Sequence, residues 1–127
     1  MHYKEVKSYL VQNDVIDMQE LLERVDQDYE LLQELFRDFV EDMPSQYKKI
    51  KEAINLCDCE QVKILAHRLK GTLGNLSAKR AYDLAKEMEI AAGQNKLETM
   101  QHIYADMTRE TELAMDTLES LIRDRQF

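Results

Sequence analysis

The chain has 127 residues and a formal net charge of -8, with 44% hydrophobic and 33% charged residues but only 3 glycines and 1 proline. That length suits one domain with its own core, and so few turn formers exclude a β-rich fold with many tight turns. The acidic balance argues against nucleic acid or an anionic membrane as partner. No apolar run exceeds three residues, which excludes a membrane-crossing helix and a signal-peptide core and makes a cytoplasmic protein the expectation.

In chain order, residues 1–16 form an N-terminal extension or a short helix in which Val6 and Leu10 are the apolar positions, and residues 17–127 form the main domain. "DMQE" at Asp17–Glu20 has the form of a capping box and opens a helix of about two turns, to near Val25. Asp28 caps the next, whose Leu32, Leu35, Phe36, Phe39 and Met43 follow the helical period. Pro44 marks a boundary, since proline suits a first turn and not a helix interior. The following stripe is Tyr47, Ile50, Ile54 and Cys57. "DCEQ" at Asp58–Gln61 is a second capping box. Ser77 caps a helix carrying Ala81, Leu84, Ala85, Met88 and Ala92, which Gly93 closes as a left-handed cap. "NKLE" at Asn95–Glu98 starts the longest helix, with Leu97, Met100, Tyr104, Met107, Thr111, Ala114, Leu118 and Leu121 spaced alternately by three and four. Short connections between such helices predict an all-α fold: an antiparallel four-helix bundle with one or two additional short N-terminal helices.

Cys57 and Cys59 are the only cysteines. Two residues apart, they suit a disulfide poorly and read as reduced thiols. No further ligands at useful spacing accompany them, so no metal site is expected. His102 has Glu98 four residues before it, but a di-iron bundle needs repeated Glu-x-x-His sets. His102 and His2 read as surface histidines, and the methionines fall largely on core stripes.

The unusual stretch is "AHRLKGTLGN", Ala66–Asn75, which places two of the three glycines inside a strong helix. Each costs roughly 0.5–1 kcal/mol there relative to alanine. At about 100° per residue, Val62, Leu65, Leu69, Leu73 and Leu76 form the core face. His67 points away from it, with Lys63, Lys70, Gly71 and Gly74 on its side. A residue at i+4 leans over residue i, so glycine at 71 leaves the His67 ring uncovered, and Gly74 clears the same face one turn on. Close helix packing is the alternative use of these glycines. Residues 61–80 hold Lys63, Arg68, Lys70, Lys79 and Arg80 and no acid, whereas the rest of the chain holds 12 basic and 25 acidic residues. This helix is therefore built to meet negative charge. A neutral imidazole is a competent nucleophile, and a nearby ammonium steadies a phosphoryl group carried on it. Ile64 is either an exposed docking contact or packed on a neighbouring helix. Gln46 and Lys49 are candidates to reach toward the phosphate from the preceding helix, and Asn75 reads as a surface residue.

"LAHRLKGTLGNLSA", Leu65–Ala78, resembles the signature of histidine-containing phosphotransfer domains of two-component phosphorelays: histidine, an apolar residue at +2, lysine at +3, glycine at +4. The resemblance covers about residues 17 to 122. It implies that His67 takes a phosphoryl group from a receiver-domain aspartyl phosphate and passes it to another, with Lys70 beside the phosphate and Gly71 opening space for the receiver. Gly74, Ile64, Lys63 and Arg68 complete the expected docking set. It implies response-regulator receivers as partners, with a hybrid histidine kinase as a further one. Magnesium would sit in the receiver, with no cofactor bound by this chain. Three glycines leave no room for the glycine-rich nucleotide-binding domain of a kinase, so the chain would be a carrier without ATP binding, and a monomer. Serine at 77, where relatives often have glycine, is a mild departure. The alternative reading is a non-catalytic helical adaptor that binds a partner through the basic His67 helix.

Overall fold

Five helices carry residues 15–124, the part of the chain described by the structure, which is a computed structural model: α1 Met18–Arg24, α2 Tyr29–Asn55, α3 Cys59–Asn75, α4 Lys79–Gly93 and α5 Leu97–Asp124. No strand occurs among the described residues. The expectation for residues 1–16, like that for His2, falls outside the described residues except at Val15 and Ile16, which are buried.

Three helices start on aspartate caps as their sequences require. The Asp17, Asp28 and Asp58 side chains accept from the backbone N–H of Glu20, of Glu30 and Leu31, and of Gln61 respectively, satisfying donors that have no partner inside the helix. The first box is only half made. The Asp17 N–H donates to the Ser77 carbonyl at 2.8 Å, and Glu20 turns its carboxylate to Ser77, Arg24 and Lys79.

Pro44 does not end a helix; it lies inside α2, which runs unbroken from Tyr29 to Asn55. An interior proline costs about 3 kcal/mol through a lost hydrogen bond and a ring clash. The apolar stripe stays in phase across it, with Leu32, Phe39, Met43, Tyr47, Ile50 and Ile54 all buried, while Pro44 itself is exposed. Burying those side chains at about 1.5–3 kcal/mol each outweighs the single defect.

The last three connections are copies of one turn. Cys57, Ser77 and Asn95 sit at φ of 55°, 56° and 57°, and the next residue's N–H reaches back five positions: Asp58 to Ala53 at 2.9 Å, Ala78 to Leu73 and Lys96 to Ala91 at 3.0 Å. This is the Schellman closure with a non-glycine residue in the left-handed position. It corrects three sequence expectations. Ser77 is not the cap of α4; Ala78 holds that place without a side-chain bond, because a left-handed residue cannot take the extended cap conformation. Gly93 is the helical last residue of α4, not a left-handed cap. Asn95 is the left-handed residue of its turn, not the cap of α5.

Among the long helices, α2 packs on α3 and α5, and α4 packs on the same two, which closes a ring of four around the core. Fully buried Leu69, Leu73, Ile50, Met88, Met100, Met107 and Leu118 fill it. The α3–α4 pair runs antiparallel: His67 and Lys70 of α3 meet Glu89 of α4, whereas Gly74, further along α3, faces Tyr82, earlier in α4. Helix α1 closes the end of the bundle at the α3–α4 turn, through buried Met18 and Leu21 and an Arg24 bond to the Gly74 carbonyl at 2.5 Å.

Candidate functional site

Helix α3 presents its leucines inward and so fixes what faces out. Val62, Leu65, Leu69 and Leu73 are buried, which leaves the His67 side chain 68% exposed near the middle of the helix. The ring is not free to turn. Its Nδ1 lies 2.9 Å from Oε2 of Glu89, and the other oxygen of that carboxylate receives the Lys70 ammonium at 2.8 Å. Glu89, only 20% exposed, is thus a bridge between histidine and lysine.

The electrostatics follow from that bridge. The hydrogen bond from Lys70, then that from His67, holds the Glu89 carboxyl below the usual carboxylate range against an opposing effect of burial. The same pair raises the Lys70 ammonium above its ordinary value. An ionised carboxylate can only accept, so the hydrogen between Glu89 and the ring belongs to Nδ1. In the neutral imidazole the lone pair then resides on Nε2.

Around the ring the surface is open. A Cβ placed on Gly71, one turn beyond His67, would meet nothing within 4 Å. Ile64 is 47% exposed, and it lines a shallow depression with Glu60, Lys63, His67 and Glu89. Arg68 is exposed on the neighbouring flank of the helix. Gly74 stands differently. Its added Cβ would touch the Tyr82 ring at 3.4 Å, and it lines a cleft with Gly71, Asn75, Tyr82, Arg24 and Lys79. Gly74 therefore accommodates a helix neighbour, whereas Gly71 borders open space. Of the residues considered on α2, Gln46 bonds to Asp42 a turn earlier in its own helix, and Lys49 is exposed. His102 is 79% exposed and lies 4.0 Å from Glu98. Among the described residues no group of three or more His, Cys, Asp or Glu is placed to hold a metal ion, and both cysteines are free thiols.

Glu89 is the residue that the sequence reading missed, because charge near His67 was read only along residues 61–80, which hold no acid. The signal was present in the topology. Reflecting His67 through the tight turn at Ser77 lands near residue 87, and Glu89 is the acidic residue there on the helix face that also carries Tyr82.

An all-helical fold whose third helix presents a surface histidine, flanked by a lysine and an open glycine, defines a narrow class. A family model, that of the Hpt domain, matches residues 34–124, and the chain belongs to this family. Membership implies phosphotransfer in two-component phosphorelays, in which Hpt domains interact with receiver domains and kinases. Comparison with curated proteins and with solved structures finds no match. No helix among the described residues is long and apolar enough to cross a membrane.

Proposed function

We propose that His67 is the phosphoryl acceptor and donor of this domain. Nε2 attacks the phosphorus of a receiver's aspartyl phosphate: the P–N bond forms, the P–O bond breaks, and the electron pair leaves with the aspartate carboxylate. The reverse step delivers the group to a second receiver. The observation that supports this best is the hydrogen bond from Nδ1 to Glu89, which commits the ring's lone pair to Nε2 on an exposed side chain.

In this reading Lys70 sits one turn from the ring and supplies positive charge to the phosphoryl oxygens. The receiver docks over Gly71 and the exposed Ile64, with Lys63 and Arg68 at the rim to meet its acidic surface. Gly74 shapes the far edge by letting Tyr82 lie close. Magnesium belongs to the receiver, and the chain is a monomeric cytoplasmic carrier built as an antiparallel four-helix bundle, without a nucleotide site. The test is direct. A phosphorylated receiver with magnesium transfers label to the wild-type chain and not to His67→Gln; equal labelling of the two would remove His67 from the role, and no labelling of either by a panel of receivers would favour the adaptor reading.

A further inference from the structure

Helix α1, Met18–Arg24, lies outside the stretch 34–124 that the family model matches, yet it borders the surface beside the histidine. Its apolar side is buried at Met18 and Leu21, which fixes the helix on the end of the bundle. Glu20 and Arg24, four residues apart and so neighbours on another face of the helix, line a cleft with Gly71, Gly74, Lys79 and Tyr82. Gly71 is also the residue one turn beyond His67. The cleft and the histidine face therefore share a border, and a body that reaches His67 across Gly71 covers the mouth of the cleft.

The three helices that meet there supply different chemistry. From α3 come Gly71 and Gly74, which carry no side chain. From α4 comes the Tyr82 ring, close enough to touch a Cβ placed on Gly74 at 3.4 Å. From α1 comes the Arg24 guanidinium, which donates to the Gly74 carbonyl at 2.5 Å and to Glu20 at 2.7 Å. Neither bond is needed for the fold. The Gly74 carbonyl already accepts from the backbone N–H groups of Leu76 and Ser77, and an exposed ion pair four residues apart contributes little to stability. What the two bonds do is hold the guanidinium still. It has five N–H donors, and its side chain stays 41% exposed, so donors remain for a partner. The acceptors of the cleft are less available, since Glu20 is taken up by Arg24, Ser77 and Lys79. In a chain of net charge -8 the lining is also balanced, with Arg24 and Lys79 against Glu20 and Asp83.

We propose that this cleft discriminates between receivers: it takes a carboxylate-bearing side chain from the surface of the docked receiver, bound by Arg24 and flanked by the Tyr82 ring. A planar fork suits a carboxylate, and a fork already held in place loses little freedom on binding. A receiver with an apolar or basic side chain at that place would bury Arg24 against no acceptor, and specificity is a difference of this kind. The inference rests on the reading of His67 as phosphoryl acceptor and adds to it a specificity determinant on a helix outside the family match.

The experiment uses the whole chain and a panel of isolated receiver domains, each phosphorylated on its aspartate and supplied with magnesium. Initial transfer rates against receiver concentration separate docking from the transfer step. The chains compared are wild type, Arg24→Ala, Arg24→Lys and Arg109→Ala, the last removing an exposed, ion-paired arginine of α5. For the receiver that wild type uses best, Arg24→Ala raises the half-saturating concentration by about tenfold, the effect of losing one strong interface arginine, and leaves the saturating rate unchanged. Arg24→Lys keeps the charge without the fork and falls between the two. Poorly used receivers change less, so the spread across the panel narrows. Arg109→Ala behaves as wild type. Phosphoramidate, a small donor that needs no docking, labels His67 equally in all four, which shows that each is folded with its site intact. Unchanged half-saturating concentrations in Arg24→Ala overturn this inference alone. So does an equal rise in Arg109→Ala, which would reduce the effect to net charge, or a fall in saturating rate alone, which would place Arg24 in the transfer step. If no receiver labels the wild-type chain, the carrier reading fails and takes this inference with it.

Discussion

Gly71 offers the sharpest separation of stability from function. In the middle of a helix, glycine is worse than alanine by roughly 0.5–1 kcal/mol, mostly because the unfolded chain has more freedom to lose. That gain is realised on substitution only if the new Cβ has room, and at Gly71 it meets nothing within 4 Å. Gly71→Ala is therefore expected to stabilise the fold by about 0.5–1 kcal/mol, a rise in Tm of roughly 2–6 °C for a domain of this size. Urea unfolding at fixed m-value measures it. Gly71→Leu should be no less stable than wild type, since its side chain extends into the same open space. Yet it places a branched group over the docking face beside His67. Transfer from a receiver should slow by at least about tenfold, equivalent to about 1.4 kcal/mol, while labelling by phosphoramidate continues. The reasoning is refuted if Gly71→Ala destabilises, which would mean that the glycine serves packing, or if Gly71→Leu accepts from the receiver as fast as wild type.

Three other outcomes follow from the structure. Cys57 holds φ at 55° with an exposed side chain. A left-handed residue costs about 1–2 kcal/mol unless it is glycine, so Cys57→Gly should raise stability by a net of about 0.5–1 kcal/mol after the entropy of the unfolded glycine is allowed for, read as a higher denaturation midpoint. The buried Tyr47 hydroxyl bonds to the Thr111 hydroxyl and to the Met107 carbonyl. Tyr47→Phe should cost about 1–2 kcal/mol, and Tyr47→Phe with Thr111→Val should cost less than the two single changes added together, as a double-mutant cycle will show. Hydrogen bonds from Lys70 and then His67 hold the folded Glu89 carboxyl below the ordinary carboxylate range. Its contribution is then fully present above the ordinary value of about 4.3 and is lost as pH falls through the folded pKa, so the stability gap between wild type and Glu89→Gln should close in acid unfolding curves as pH falls below the ordinary carboxylate range.

Much of the architecture was legible because helix signals are local. Asp17, Asp28 and Asp58 cap where their spacing says, and the three-and-four stripe of α5 is buried at Met100, Met107, Thr111, Ala114, Leu118 and Leu121, with Leu97 and Tyr104 partly buried. The misreadings share a cause. Pro44, Ser77, Gly93 and Asn95 were judged by intrinsic preference, and in each case tertiary structure overrode it. The stripe of α2 carries the helix through Pro44. The three connections close as Schellman turns with Cys57, Ser77 and Asn95 in the left-handed place, so the chain needs no glycine there. At the site, periodicity was enough to turn His67 and Gly71 outward, since that depends only on where the leucines point. Glu89 was not visible to periodicity, because its role comes from a contact across two helices. Gly74, grouped with Gly71 by angle alone, differs from it through the ring of Tyr82, again a neighbour from the second helix.

The most direct measurement of the central claim is a two-receiver relay. Label is loaded onto the aspartate of one receiver with magnesium, a second unlabelled receiver is added, and label on the second is followed with wild type, His67→Gln or no Hpt chain. A carrier acting through His67 predicts that the second receiver becomes labelled only with the wild-type chain, through an intermediate on that chain that is stable in alkali and lost in acid. Equal labelling of the second receiver with wild type and with His67→Gln would contradict it.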